Sequence, residues 1–448
     1  MNYLRNMLMV QRGERAFTAL MSLQFFLIIA GFWILKPLKK TLFIAQYDDV
    51  PLRLAGFTLD AARAELVAKN VNMVAALGVT ILFALLARRS GRRRFIHAIA
   101  GLIGMGLLGM GMWLPTDSEV SRWAFYVFGD VFNMLLVTGF FAFLNDTVRP
   151  SQVERLYGPI VLGGVAGGVA GAGFLREFIS SWPVTLWLAL CGVLLACIVA
   201  CAAAAGRIAD RHPERFGLSM ERPSLSFSVI SGLRQVASSR YLLSIATIVG
   251  LYEIVSTIID YQFTSTVARQ LDGPAIGAHF ATVYMVVNAV SLSVQLLLTS
   301  ALMRRLGVGT TLLFLPAALF VGSLAFVAAP VLLFASFLCV ADNGLSYSIQ
   351  QSSKESLYVI TRREEKYSAK GFIDIAVQRL AKAVGVNLTL GLSLLLPGRW
   401  LGALAIGLIL LWWKAARYCG DRFEKETGPG NEHGALAPEL PTLSRLPE

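Results

Sequence analysis

Apolar residues fill this chain in stretches of 20 or more, broken by short polar gaps, from Ala16 to Tyr418. A helix rising 1.5 Å per residue needs about 20 such residues to cross the roughly 30 Å hydrocarbon layer of a bilayer. Twelve spans are predicted, near 16–44, 67–87, 95–114, 122–145, 156–180, 184–205, 241–266, 276–303, 310–329, 331–358, 367–396 and 400–418. The longest polar stretch between them, roughly 206–240, leaves no room for an independent soluble domain. The pattern predicts an all-α integral membrane protein.

Basic residues set the expected orientation. Arg88, Arg89, Arg92, Arg93 and Arg94 follow span two. Arg149 and Arg155, then Arg207, Arg211, Arg215 and Arg222, follow spans four and six; Arg304 with Arg305, and Arg362 with Arg363 and Lys366, follow spans eight and ten. The odd-numbered exits are poorer in basic residues, and the first, 46–65, is mixed. The positive-inside bias then puts both termini in the cytoplasm of a bacterial inner membrane. The net charge of +12 follows from these loops, and no nucleic-acid partner is expected. Arg5, Arg12 and Arg15 precede the first span without a small-residue cleavage site, so that span is expected to remain as an anchor.

The halves echo each other. Arg88-Arg89-Ser90-Gly91 returns 216 residues later as Arg304-Arg305-Leu306-Gly307. A repeat of that length predicts two six-helix bundles related by an axis along the membrane normal, with a cargo site between them. The expected boundaries are 1–205 and 241–418 for the bundles, 206–240 for a cytoplasmic connector, and 419–448 for a disordered cytoplasmic tail.

Composition agrees: 56% of residues are apolar, and 15% are charged against about 25% in soluble domains. The five cysteines contain no CxxC and read as small hydrophobic residues, with neither disulfide nor metal. Gly104-Met105-Gly106-Leu107-Leu108-Gly109 has dinucleotide-site spacing but lies mid-span with no strand before it, so helix packing is the better reading. Gly163, Gly167 and Gly171 form a small-residue row suited to close helix approach. The sequence holds no H-E-x-x-H, G-x-S-x-G or G-x-x-x-x-G-K, so neither an enzyme nor a cofactor is expected.

Charges inside the spans carry the functional reading, since each costs roughly 2.5–3.5 kcal/mol at the bilayer centre unless it is paired or faces water. Lys36, Lys39 and Lys40 surround Pro37 in span one; Lys36 and Lys40 share a face. Ending the span at Lys36 would leave three lysines on the translocated side, against the orientation bias. Span four carries Asp130 and Asn133, span seven Glu253 and Asp260 on one face, and span ten Asp342 and Asn343. Span eleven carries Asp374, Gln378, Arg379 and Lys382, with the first two, and Gln378 with Lys382, at four-residue spacing. Each of these could be an intramembrane ion pair with a structural role, or line a wet cavity. Lysines sharing such a cavity imply an anionic cargo.

The segment Ile34–Phe43 resembles the first-span signature of the nucleotide transporter (ATP/ADP antiporter) family, a branch related to the major facilitator folds. Ser352-Ser353-Lys354-Glu355-Ser356-Leu357-Tyr358-Val359-Ile360 is similar to its S-T-K-E-x-x-Y stretch, and Lys366-Tyr367-Ser368-Ala369-Lys370-Gly371-Phe372-Ile373-Asp374 to its K-x-K-x-x-I-D stretch. Glu154-Arg155-Leu156-Tyr157-Gly158 resembles the entry into its span five. The resemblance implies phosphate-binding roles for Lys39 and Lys382, an acidic role for Asp130, and one for either Glu253 or Asp260. The family's acid after the span-one lysine is here Lys40. The expected function is secondary transport of an anionic, phosphorylated metabolite by a monomer, with ATP, ADP or another nucleotide as first candidate. A permease for another small molecule, or a non-transporting membrane scaffold or sensor, remains as an alternative.

Overall fold

The computed structural model describes residues 10–48, 50–89, 92–216, 229–361 and 369–427. Helices dominate them. In the first half of the chain these are α1 (Arg15–Gln46), α2 (Ala61–Arg89), α3 (Arg92–Trp113), α4 (Glu119–Thr147), α5 (Pro150–Phe178) and α6 (Val184–Arg211). A short α7 (Val229–Ser238) precedes the second half: α8 (Arg240–Gln270), α9 (Pro274–Ser293), α10 (Thr299–Leu312), α11 (Phe314–Ala328), α12 (Leu332–Leu345), α13 (Gln351–Leu357), α14 (Gln378–Leu395) and α15 (Gly398–Thr427). Single π-helical turns, Val294–Leu298 and Ser346–Gln350, join α9 to α10 and α12 to α13; a third, Ile373–Val377, leads into α14.

Among the described residues ten helices are long and apolar enough to cross a membrane, and the count is eleven if the bent pair Ala301–Leu312 and Phe314–Ala328, bent by 58°, is taken as one span. The expected ninth span, 310–329, therefore contains a bend. Gly307 enters the left-handed region at φ 80°, which glycine adopts without a Cβ clash, and Pro316 lies in the first turn of α11, where its missing N–H costs little. The expected eleventh span, 367–396, is helical through α14, but its polar residues keep it outside that set. The first exit loop adds a feature the all-α expectation omitted: β1 (Leu52–Leu54) pairs antiparallel with β2 (Phe57–Leu59) across a turn in which Ala55 and Gly56 both take positive φ. The last helix passes the expected boundary at 418 and continues to Thr427; in this extension Gly309 and Gly420 bring α10 and α15 together with no side chain between them. The remainder of the expected tail, 428–448, and the part of the connector at 217–228 lie outside the described residues.

Two large clusters hold most of the buried apolar side chains. One, around Phe25, Phe132, Phe140 and Trp187, is built almost wholly from the first half of the chain. The other, around Phe263, Phe280, Tyr284 and Trp412, is mostly from the second half but takes in Trp33, Phe43 and Tyr126. The five cysteines are free; Cys191, Cys201, Cys339 and Cys419 are buried and Cys197 is exposed.

The glycine row explains how α1 becomes central. A Cβ on Gly163, Gly167 or Gly171 of α5 would fall inside contact distance of the backbone carbonyls of Ser22, Phe26 and Ala30 on α1. The two helices touch backbone to backbone over more than two turns, which fixes the rotation of α1 and therefore the direction of its lysines. At the start of α1, Glu14 is buried and accepts hydrogen bonds from Arg155 at 2.7 and 3.1 Å and from Gln152 at 2.6 Å. Burial alone would raise the Glu14 pKa; these bonds and the Arg155 charge outweigh it and hold the carboxyl below its ordinary value. This tie between α1 and α5 is therefore intact at neutral pH and is lost only as acid carries the pH down through that lowered pKa.

Gly167→Leu is expected to lower stability by about 1–3 kcal/mol or more, since a backbone carbonyl cannot swing aside as a side chain would. Thermal unfolding in detergent checks this, with Gly78→Leu as the control: nothing lies within 4 Å of a Cβ there, and its transition is expected to stay unmoved.

Candidate functional site

The rotation of α1 turns Lys36, Lys39 and Lys40 inward, onto a cavity of about 550 Å³. It lies between the two halves of the chain: α1, α2 and α4 form one wall, α8, α9, α12 with its π turn, α13 and α14 the other. Of the expected site residues, Lys36, Lys39, Lys40, Asp130, Asn133, Glu253, Asp260, Gln378 and Lys382 all line it. Asp374 and Arg379 do not. The π turn at Ile373–Val377 widens the helix between Asp374 and Gln378, and Asp374 instead meets Lys354 at 3.2 Å. Arg379 follows Gln378 by one residue, a step of about 100° around the helix, and is exposed on another face.

Each lysine of α1 meets a different environment. Lys39 is buried, ion-paired to Asp130 at 2.5 Å and bonded to the Tyr126 carbonyl at 3.3 Å; Asn72 donates to Asp130 as well. Lys40 is buried between Glu65 at 3.2 Å and Asp260 at 3.0 Å. Lys69 completes this cluster with a short bond to Asp260 and a 3.7 Å approach to Glu65, which also accepts from the Tyr126 hydroxyl at 3.1 Å. Two cations face two carboxylates, so the lysine that replaces the family's acid is neutralised by partners on α2 and α8. Lys36 differs: its ammonium lies 4.6 Å from the Trp33 ring centroid and 4.8 Å from that of Tyr284, and among the described residues it has no carboxylate at ion-pair distance.

Across the cavity, Glu253 is buried and accepts from Gln378 at 2.7 Å. Lys382 lies 3.9 Å from it with 58% of its side chain exposed to the cavity. Asp342 is also in the lining, bonded by Ser256 at 2.7 Å. Tyr252, Tyr284, Tyr347 and Phe32 supply aromatic surface. In total six lysines face five carboxylates.

Glu65, Lys69 and Asn72 are not among the residues expected from the sequence: Glu65 falls in the loop before the expected span 67–87, whereas Lys69 and Asn72 lie inside that span. Their spacing of four and three residues puts them on one helix face, a signal readable once the helix is begun at Ala61.

The links between the halves lie on one side of this cavity. Besides Lys40–Asp260 and Lys69–Asp260, Asn70 and Asn387 exchange hydrogen bonds at 3.3 and 3.1 Å, Arg63 donates to the Ser393 carbonyl, and Arg269 approaches Asp60 at 3.8 Å. These residues lie toward the C-terminal ends of α8 and α14 and the N-terminal end of α2. The opposite end of the lining is formed by Ala76, Met134, Ile248 and Lys354.

The family model described as TLC ATP/ADP transporter matches residues 111–342, more than half of the chain. The chain belongs to the TLC ATP/ADP transporter family. It is thereby a multi-pass membrane protein of a transporter family, as the resemblance implied. The matched region holds Asp130, Glu253, Asp260 and Asp342; the lysines of α1 and α14 lie outside it. No curated protein matches this member of the family. Among solved structures, a mutant of the nucleoside transporter NupG aligns with a TM-score of 0.63 at 14% identity, over 90% of this chain and 99% of that one. A D-xylose–proton symporter aligns with a TM-score of 0.57 at 13% identity over 89% and 97%. The xylose transporter XylE from E. coli, in a partially occluded inward open conformation, aligns with a TM-score of 0.57 at 11% identity over 90% and 98%. At these identities the likeness concerns the fold, which is that of major-facilitator-like transporters.

Removing one member of the Lys40–Glu65–Asp260–Lys69 cluster strands a buried charge. Lys40→Met is expected to destabilise the protein by roughly 3–5 kcal/mol, and the double variant Lys40→Met/Glu65→Gln, which restores the charge balance, to recover most of that loss. Equilibrium unfolding of the two variants beside the parent protein measures the difference.

Proposed function

We propose that this protein is a secondary transporter of a nucleotide or a similarly phosphorylated anion, working by alternating access around the cavity. The observation that carries the reading is the pair Lys36 and Lys382. They stand on opposite walls, Lys36 without a carboxylate partner among the described residues and Lys382 largely exposed to the cavity. An anion arriving there gains two ammonium groups without first breaking a short ion pair. Lysine suits the task, being a point charge on a flexible stem that binds phosphate and still releases it. Lys39, to which the family resemblance assigns a phosphate role, joins the grip once Asp130 lets it go.

The size and lining support a nucleotide over a small inorganic anion. A cavity of about 550 Å³ falls in the range of about 300–1,000 Å³ typical for ligands of drug or cofactor size. Tyr252 and Tyr347 offer ring faces near the phosphate-binding lysines, and stacking a base on such a ring contributes about 1–3 kcal/mol. In this reading the phosphates meet Lys36 and Lys382 while the base stacks.

Twelve crossings in two six-helix bundles, with α14 as the crossing of lowest hydropathy, form the framework of the proposal. The orientation bias of the loops puts both termini in the cytoplasm of a bacterial inner membrane. The links from Arg63, Lys69, Asn70 and Lys40 to the second half then close the outer side, and the cavity faces inward. Rocking the halves would break these links and form others at the Ala76–Lys354 end. The protein is read as a monomer in which one chain supplies both walls.

Lys36→Ala and Lys382→Ala are each expected to reduce uptake of radiolabelled ATP or ADP into proteoliposomes by about tenfold to a hundredfold, the loss of one charge-assisted contact of about 1.5–3 kcal/mol. Undiminished uptake by both would refute the clamp. Sugar phosphates and neutral solutes offered in the same assay separate a nucleotide carrier from a permease for another small molecule.

A further inference from the structure

Five carboxylates line the cavity, and four of them have a lysine at ion-pair distance: Asp130 with Lys39, Glu65 and Asp260 with Lys40, and Glu253 with Lys382. Asp342 is the fifth. It is 2% exposed, and no cation pairs with it among the described residues. Among the described residues its Oδ2 accepts one hydrogen bond, from the neutral hydroxyl of Ser256 at 2.7 Å, and its Oδ1 has no hydrogen-bond partner. An ionised carboxylate in that setting lacks the compensation that buried charge requires. A carboxyl group does not, since it is neutral and its O–H can be offered to the cavity.

The surroundings favour the same form. Three helices pack against α12 near Asp342: α8, α9 and α11. From α8 come Tyr252, Glu253, Ser256 and Asp260, so two further negative charges face it. From α9 come His279, which bonds Ser336 at the other end of α12, and Tyr284. The sequence of α11 has no titratable side chain. On α12 and its π turn lie Cys339, Ser346 and Tyr347. Two cations of the cavity face this region, Lys382 of α14, already beside Glu253, and Lys36 of α1, and neither is at ion-pair distance from Asp342 among the described residues. A bound metal cation would need several oxygens around it, whereas one hydroxyl is at hydrogen-bond distance here.

We propose that Asp342 is a proton-binding site of this cavity and couples cargo movement to the proton gradient. The carboxylate takes up one proton from the compartment the cavity faces, becomes neutral, and returns that proton to the other compartment once the halves have rocked. The coupling half of this proposal rests on the transport reading above; the proton-binding half does not.

Two measurements test the halves separately. Infrared difference spectra of the purified protein in lipid, between alkaline and acidic pH and with no cargo present, are expected to show the carbonyl stretch of a protonated carboxyl that disappears in Asp342→Asn. Ser256→Ala, which removes the one donor favouring the charged form, is expected to move the midpoint of that band to higher pH. A band that persists in Asp342→Asn, or an unmoved midpoint in Ser256→Ala should the first variant fail to fold, overturns the site. In proteoliposomes an inward gradient of one pH unit is expected to raise steady-state accumulation of labelled ATP about tenfold for one proton per cargo, and to have no effect in Asp342→Asn. ATP uptake by the parent protein that ignores the gradient overturns the coupling. Absence of ATP uptake at any gradient instead refutes the nucleotide reading, and the infrared result alone then decides Asp342.

Discussion

Lys40, wedged between Glu65 of α2 and Asp260 of α8, is the contact on which the arrangement of this protein turns. A lysine inside a bilayer must be paired or wet. Here it is paired by one carboxylate from each half of the chain, and Lys69 joins the same Asp260. The cluster thus solves an electrostatic problem and ties the halves together at one side of the cavity. It also sorts the remaining lysines. With Lys40 and Lys39 compensated, Lys36 and Lys382 are left, among the described residues, as the cations of the cavity that hold no close carboxylate or hold one loosely.

That division of labour rests on close packing. The glycines of α5 let α1 approach to backbone contact, and this sets which way the three lysines point. A helix rotated by one residue would carry Lys36 about 100° away from its aromatic cage. Structure and charge are therefore coupled from the glycine row to the cavity, and the acid–amide tie at Glu14 secures the start of the same helix pair.

Much of this was legible in the sequence. Hydrophobic run length located the membrane helices, and nine of the eleven candidate site residues line one cavity. The losses have local causes. Ala61–Glu65 follows a polar loop, which hides the true start of α2 and with it Glu65; Lys69 lies inside the expected span, and its role depends on the helix opposite. Arg379 was grouped with Gln378 by proximity in sequence, although helical periodicity separates their faces. The bend between α10 and α11 and the π turn before α14 leave little trace in composition, and the latter displaced Asp374 to the cavity's edge. Nor could spacing reveal that Lys39 would be saturated by Asp130 and Lys36 left to aromatic rings, since that depends on which helix lies opposite. Asp342 is visible in the sequence as an intramembrane acid, but that no described cation pairs with it emerges only once the other carboxylates are matched to theirs.

In the proposed transport cycle, ammonium groups of this cavity recognise the phosphates of the cargo. Calorimetric titration of the purified protein with ATP, ADP and adenosine at fixed salt tests it most directly. Saturable binding of ATP and ADP, weakened by added salt and absent for adenosine, is the predicted result; adenosine binding as tightly as ATP, with no dependence on salt, would contradict it.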